Sequence, residues 1–129
     1  MKAFFALSIY VILLFTSCGG NKEAAFAIKQ NLISANSAKV IFSSGKTVNI
    51  ESGKDELRIL KNSIGEQHFD EKECGADGKI EFYSQNMLTE TVDFSLKQGC
   101  SFVHFMYKAE PQKKSISAEA LKYLSEISK

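Results

Sequence analysis

The chain has 129 residues, 16 basic and 15 acidic, with 44% hydrophobic residues, one proline and no tryptophan. That length suits one domain with a single modest core, and its composition is that of an ordinary globular protein. The balance of charge excludes a polybasic stripe for nucleic acid and an acidic tail for a basic partner.

The first element is an export signal. Met1-Lys2 is followed by an uncharged run from Ala3 to Phe15, then by Thr16-Ser17-Cys18 and Gly19-Gly20. A basic start, an apolar stretch and a small-residue cleavage site are the parts of such a signal. A membrane-spanning helix needs about 20 apolar residues; this run is shorter and gives way to Gly-Gly-Asn-Lys-Glu, whose exposed backbone and charges do not stay in lipid. Phe15-Thr16-Ser17-Cys18 resembles the lipobox of bacterial lipoproteins, with Phe15 where that family prefers an aliphatic residue and Leu14 one place earlier.

The resemblance covers residues 1–20 only. It implies removal of residues 1–17, a thioether-linked diacylglycerol on Cys18 and acylation of the new amino terminus, so that the partner of Cys18 is the membrane. Each buried methylene stabilises attachment by about 0.8 kcal/mol, and durable anchoring takes more than one acyl chain. Gly19, rather than an aspartate, after the cysteine is similar to lipoproteins forwarded to the outer membrane. The alternative is a secreted protein with an unlipidated Cys18. Residues 18–23 then form a short tether and 24–129 the domain, with fifteen basic and fifteen acidic side chains left once the signal is gone.

Good helix formers from Asn21 to Asn36, with Ala25, Ile28 and Leu32 at helical spacing, predict a helix. Ala38 to Ser44 and Lys46 to Glu51 read as a β-hairpin broken at Gly45, with Val40 and Phe42 facing Val48 and Ile50. A second helix is expected from a Ser52-x-x-Asp55 cap, with Leu57, Leu60 and Ile64 on one face and Gly65 as its stop.

From Ile80 the apolar period becomes two. Ile80 and Phe82, then Val92, Phe94 and Leu96, alternate with polar residues as in two strands with one wet face. A turn at Met87 would pair Ile80 with Phe94, Phe82 with Val92 and Cys74 with Cys100, but it would also oppose Glu81 to Asp93, a like-charge pair. Asp77-Gly78 offers a further two-residue turn, between Phe69 to Ala76 and Lys79 to Asn86. Phe102 to Tyr107 is apolar on both faces, as in a central strand. Ser117 caps a last helix with Ile116 and Leu121 placed for a hydrophobic staple and Leu121, Leu124 and Ile127 on its inner stripe. The expected fold is α+β: an antiparallel sheet of about five strands with helices packed on one side.

If Cys18 carries lipid, Cys74 and Cys100 remain as a pair in an oxidising compartment, where a disulfide persists. Closing that loop stabilises the fold by roughly 3.5 kcal/mol on the chain-entropy account. Two buried free thiols are the alternative.

No catalytic, cofactor or metal constellation stands. Ser43-Ser44-Gly45-Lys46-Thr47 ends like a phosphate-binding loop, but Val40 stands where that loop needs glycine, and a strand rather than a helix follows. Asp70 to Glu81 imitates a calcium loop, with Gly75 sixth, yet Lys72 and Cys74 occupy positions that need oxygen ligands. His68 and His104 are too few for zinc once the cysteines pair, and no nucleophile motif accompanies them.

The expectation is therefore a non-enzymatic envelope lipoprotein that binds a protein or other envelope component, with an inhibitor or immunity protein as the sharper form. It is similar in kind to small lysozyme-inhibiting lipoproteins. However, Ser44-Gly45 is followed by Lys46-Thr47 without the tyrosine of their Ser-Gly-x-x-Tyr motif. The alternative is a carrier enclosing a small apolar ligand among Phe94, Phe102 and Phe105.

Overall fold

In a computed structural model, residues 22–69 and 74–129 are described. Three helices and seven strands follow in the order α1 (Lys22–Ile33), β1 (Ser37–Phe42), β2 (Thr47–Ile50), α2 (Asp55–Lys61), β3 (Ile64–His68), β4 (Gly78–Ser84), β5 (Met87–Lys97), β6 (Cys100–Tyr107), β7 (Glu110–Ile116) and α3 (Ala118–Ile127). The strands form one antiparallel sheet in the order β2-β1-β4-β5-β6-β7-β3. The α+β architecture matches the expectation, with more strands than the sequence pattern reveals.

Register decides which side chains face inward. Val40 lies opposite Ile80, Ile80 opposite Val92, Phe94 opposite Val103, and Ile116 opposite Ile64. These residues pack with Ala24, Ala25, Ile28 and Leu32 of α1, Leu57 and Leu60 of α2, and Leu124 of α3 in a single core cluster. Helices therefore cover one face of the sheet. Phe82, Phe94 and Phe105 are each fully buried there, and burying a side chain of that size stabilises the fold by about 1.5–3 kcal/mol.

Several local readings hold. α1 buries the predicted Ala25, Ile28 and Leu32. β1 and β2 form the predicted hairpin with Val40 opposite Val48, though Ile50 faces Ala38 rather than Phe42. Its turn uses Gly45 at φ 97°, a left-handed conformation that glycine adopts without strain. In α3 the Ser117 hydroxyl accepts a hydrogen bond from the Ala120 amide at 3.2 Å, satisfying one of the orphan donors of a helix start.

Other readings are corrected. α2 begins at Asp55 after Lys54, with no side-chain cap from Ser52, and ends at Lys61. Asn62 closes it by donating from Nδ2 to the Arg58 carbonyl, so Ile64 opens a strand and Gly65 lies within that strand. The β4–β5 turn falls at Gln85-Asn86, both with positive φ, and not at Met87. The resulting register pairs Ile80 with Val92 and Gly78 with Phe94, and sets Lys79 opposite Asp93 and Glu81 opposite Thr91. Moving the turn thus replaces the expected Glu81–Asp93 repulsion by an opposite-charge pair. Asp77-Gly78 is no turn: Gly78 opens β4 between Phe42 and Phe94, and Cys74 to Ala76 carry no regular structure.

Candidate functional site

Among the described residues the second face of the sheet has no helices, and its two ends differ. Around the β5–β6 turn Phe69, Cys74 and Asp77, from the two sides of the β3–β4 connection, lie against it. Phe69 stacks at 5.3 Å on Phe102, and Lys113 places its ammonium 5.0 Å from the same ring. These contacts explain why Phe102 is buried although it points away from the core. Cys74 is disulfide-bonded to Cys100, the first residue of β6, with α-carbons 6.1 Å apart, inside the range that a bridge requires. Asp77 completes the cover: its Oδ2 accepts from the Leu96 amide at 2.7 Å and lies 3.4 Å from the Ser95 hydroxyl. The expected bridge is present, but it joins the β3–β4 segment to the β5–β6 turn rather than clasping β4 to β5.

At the opposite end, where the β4–β5 and β6–β7 turns lie, the same face is uncovered. Leu88 is paired with Tyr83, and Met106 with Pro111; Leu88 is 53% and Met106 54% exposed, and Met87 beside the turn is 72% exposed. Both turns are two-residue connections with positive φ, at Gln85-Asn86 and Lys108-Ala109, a geometry that matches the right-handed twist of paired strands. His104 lies on this face with Nδ1 3.3 Å from Asp93 Oδ2 of the neighbouring strand. The β5–β6 pairing ends at Asp93 and His104, so the result is two exposed hairpin ends, one bearing Leu88 and the other Met106, beside one imidazole–carboxylate pair.

On the helical side, a groove of about 710 Å³ runs between α1 and α2. Leu32 and Leu57 line it together with Lys29, Lys54, Arg58 and Lys61, against one acid, Asp55. Arg58 bonds Asp55 Oδ1 at 2.7 Å and Glu119 Oε1 at 2.9 Å, which ties α2 to α3, raises the guanidinium pKa further and lowers that of Asp55. Lys61 donates from Nζ to the carbonyls of Ile33 and Ala35, each at 2.9 Å, satisfying acceptors at the end of α1.

Cys18 lies outside the described residues. Lys46 of the phosphate-loop lookalike sits past a hairpin turn and donates to the Lys129 main-chain oxygen at 2.8 Å. In the calcium-loop lookalike, Asp70 lies outside the described residues, Cys74 is spent in the disulfide and Glu81 is fixed in β4. His68 stands on the edge strand β3, which β7 separates from His104 of β6. Among the described residues no group of three His, Cys, Asp or Glu side chains could hold a metal ion. Phe94 and Phe105 fill the core and Phe102 packs on Phe69, and the three line none of the grooves described above. Sequence reasoning missed the basic groove, whose lysines come from α1, the α2 approach and α2 itself, and it missed Lys114, which is fully buried with no hydrogen-bond partner at Nζ among the described residues. Only the sheet register could have placed that lysine inward.

Compared with known protein families, curated proteins and solved structures, the chain matches none. Its function is therefore read from its own surfaces.

Proposed function

We propose that the protein is a lipid-anchored, non-enzymatic envelope protein that binds another protein through the uncovered end of its sheet, with an inhibitor or immunity protein as the sharper form. The observation that carries the recognition part is the exposure of Leu88 and Met106 at one end of a sheet face whose other end is covered by Phe69 and the disulfide-bonded Cys74. Exposed apolar groups rimmed by polar ones mark interaction surfaces, and methionine adapts its shape to a partner. Packing of Phe94 and Phe105 in the core argues for this reading over a carrier for small apolar ligands. The anchor rests on Phe15-Thr16-Ser17-Cys18, and the outer-membrane destination on Gly19.

Photo-cross-linking residues placed at Leu88 and at Met106 test the recognition surface in intact membranes. Both should give one discrete protein adduct that a probe at exposed Glu51 does not give. No adduct, or the same adduct from all three positions, would refute the surface. Fractionation tests the anchor: Cys18→Ser should move the protein out of the outer-membrane fraction, and unchanged retention would count against lipidation.

A further inference from the structure

The outer side of α1 carries a pattern that neither the core nor the proposed recognition surface uses. Ala24, Ala25, Ile28 and Leu32 are its buried side. Lys22, Phe26, Lys29 and Ile33 recur at steps of four, three and four, the spacing that aligns side chains along one helical stripe. Phe26 and Ile33 are each 64% exposed, unusual for large apolar side chains with a core available one face away. Lysines alternate with them, and a lysine stem can lie along apolar surface while its ammonium reaches a polar layer.

The chain leading into this helix says what lies against it. Only Gly19, Gly20 and Asn21 separate Cys18 from Lys22, so even a fully extended link spans no more than about 14 Å. Phe26 follows one helical turn later, about 6 Å along the axis. The headgroup layer of a leaflet is itself about 5–7 Å deep. A diacylglyceryl group on Cys18 therefore holds the first turns of α1 at the membrane surface.

Charge points the same way. Lys29 and Ile33 of the stripe also line the groove that holds Lys54, Arg58 and Lys61, where Asp55 and Glu119 both pair with Arg58. On the other flank, Lys22, Phe26 and Lys29 share a small cleft with Glu66, and Glu23 is exposed nearby. The surface is thus cationic on balance, although the mature chain carries equal numbers of basic and acidic side chains. Helices with alternating apolar and basic residues bind membranes by apolar burial plus attraction to anionic lipid.

We infer that α1 docks on an anionic phospholipid leaflet through Lys22, Phe26, Lys29 and Ile33, with Lys54 of the α1–α2 groove over the headgroups. The inference rests on the lipidation of Cys18 proposed above. Docking in this way turns the helical side toward the membrane and the sheet surface bearing Leu88 and Met106 away from it. The anchor then sets an orientation as well as an address.

The chain has no tryptophan, so one introduced tryptophan is an unambiguous reporter. The lipidated protein carrying Phe26→Trp, and separately Met106→Trp, is purified from membranes. Each is reconstituted into vesicles of equal parts phosphatidylglycerol and phosphatidylcholine, with or without brominated acyl chains. For Phe26→Trp, the emission should shift to the blue and be quenched several times more strongly than for Met106→Trp, with the shift reduced in pure phosphatidylcholine. Adding Lys29→Glu to Phe26→Trp should weaken the quenching while far-ultraviolet circular dichroism stays unchanged. Water-like, unquenched emission from Phe26→Trp in a protein whose intact mass includes the lipid overturns the docking and leaves the anchor standing. An intact mass without the lipid overturns both.

Discussion

Replacing Lys114 by methionine should stabilise this protein. Lys114 belongs to β7, opposite Val103 of β6 and His68 of the edge strand β3. Its side chain is fully buried, its Nζ has no hydrogen-bond partner among the described residues, and burial lowers the pKa of the amine. A polar group taken out of water without a partner costs roughly 1–3 kcal/mol by mutational measures. Methionine has nearly the same length and keeps the space filled without that penalty. Lys114→Met should therefore gain roughly 1–3 kcal/mol at neutral pH, and each kcal/mol raises the melting temperature of a domain near this size by about 4 °C or more.

The same residue dictates a pH dependence. Its folded pKa lies below the unfolded value of about 10.4, so as the pH falls the unfolded chain takes up the proton first. Stability should therefore fall, by at most about 1.4 kcal/mol per pH unit, on going down from about 10.4 toward the folded pKa, and be regained on going up. Lys114→Met lacks this slope. Urea unfolding followed by circular dichroism, at neutral pH and at about pH 9.5 without reductant, reads both effects, since the midpoints of wild type and variant should converge as the pH rises through this window. An unchanged or lowered midpoint for Lys114→Met at neutral pH, or parallel pH profiles for the two proteins, would refute the reasoning.

Three further outcomes follow from other parts of the fold. Reducing the Cys74–Cys100 bridge should lower stability by roughly 3.5 kcal/mol on the chain-entropy account while the sheet persists; two alkylatable thiols in the unreduced mature protein would show the bridge to be absent in solution. Gly78→Ala should cost about 1–3 kcal/mol, because an added Cβ would stand 2.6 Å from the Ile41 carbonyl oxygen and 2.7 Å from Phe94 Cζ; an unchanged melting temperature would mean that β1 and β5 yield more easily than their registers suggest. Ser117→Ala should cost about 0.5–2 kcal/mol and speed hydrogen exchange at the start of α3, and exchange that stays as slow as in wild type would deny the cap its role.

How much of this was legible in the sequence depends on which physical signal each element leaves. α1, the β1–β2 hairpin and α3 announce themselves because their apolar spacing, a turn glycine and a cap agree with one another. β7 leaves no such signal: it contains Pro111 and the pair Lys113-Lys114, and its place is set by the Lys108-Ala109 turn and by its neighbours β6 and β3. β3 is short, and its first residue, Ile64, fits the helical spacing of Leu57 and Leu60 equally well. The observed β4–β5 pairing differs from the expected one by two residues, which keeps the same residues on each face, so alternation alone could not resolve it. The expected charge clash between Glu81 and Asp93 was the better guide. As for the candidate surfaces, the disulfide was readable from the cysteine count. The uncovered end of the sheet and the groove between α1 and α2 join residues distant in the chain and require the fold.

The two borders of the sheet have a consequence that bears on the proposed membrane anchor. A strand edge offers unpaired amides and carbonyls to any other strand that reaches it, and edge pairing is a common start to aggregation. Anchored chains share a surface and meet far more often than the same chains in solution, as tethering raises effective concentration. Here one border is β2, with only the four residues Thr47–Ile50. The other is β3, five residues whose pairing with β7 slips register between Ile64 and His68. Short borders, one of them irregular, give a neighbouring copy little straight edge to extend, which would count most under the crowding that the proposed anchor brings.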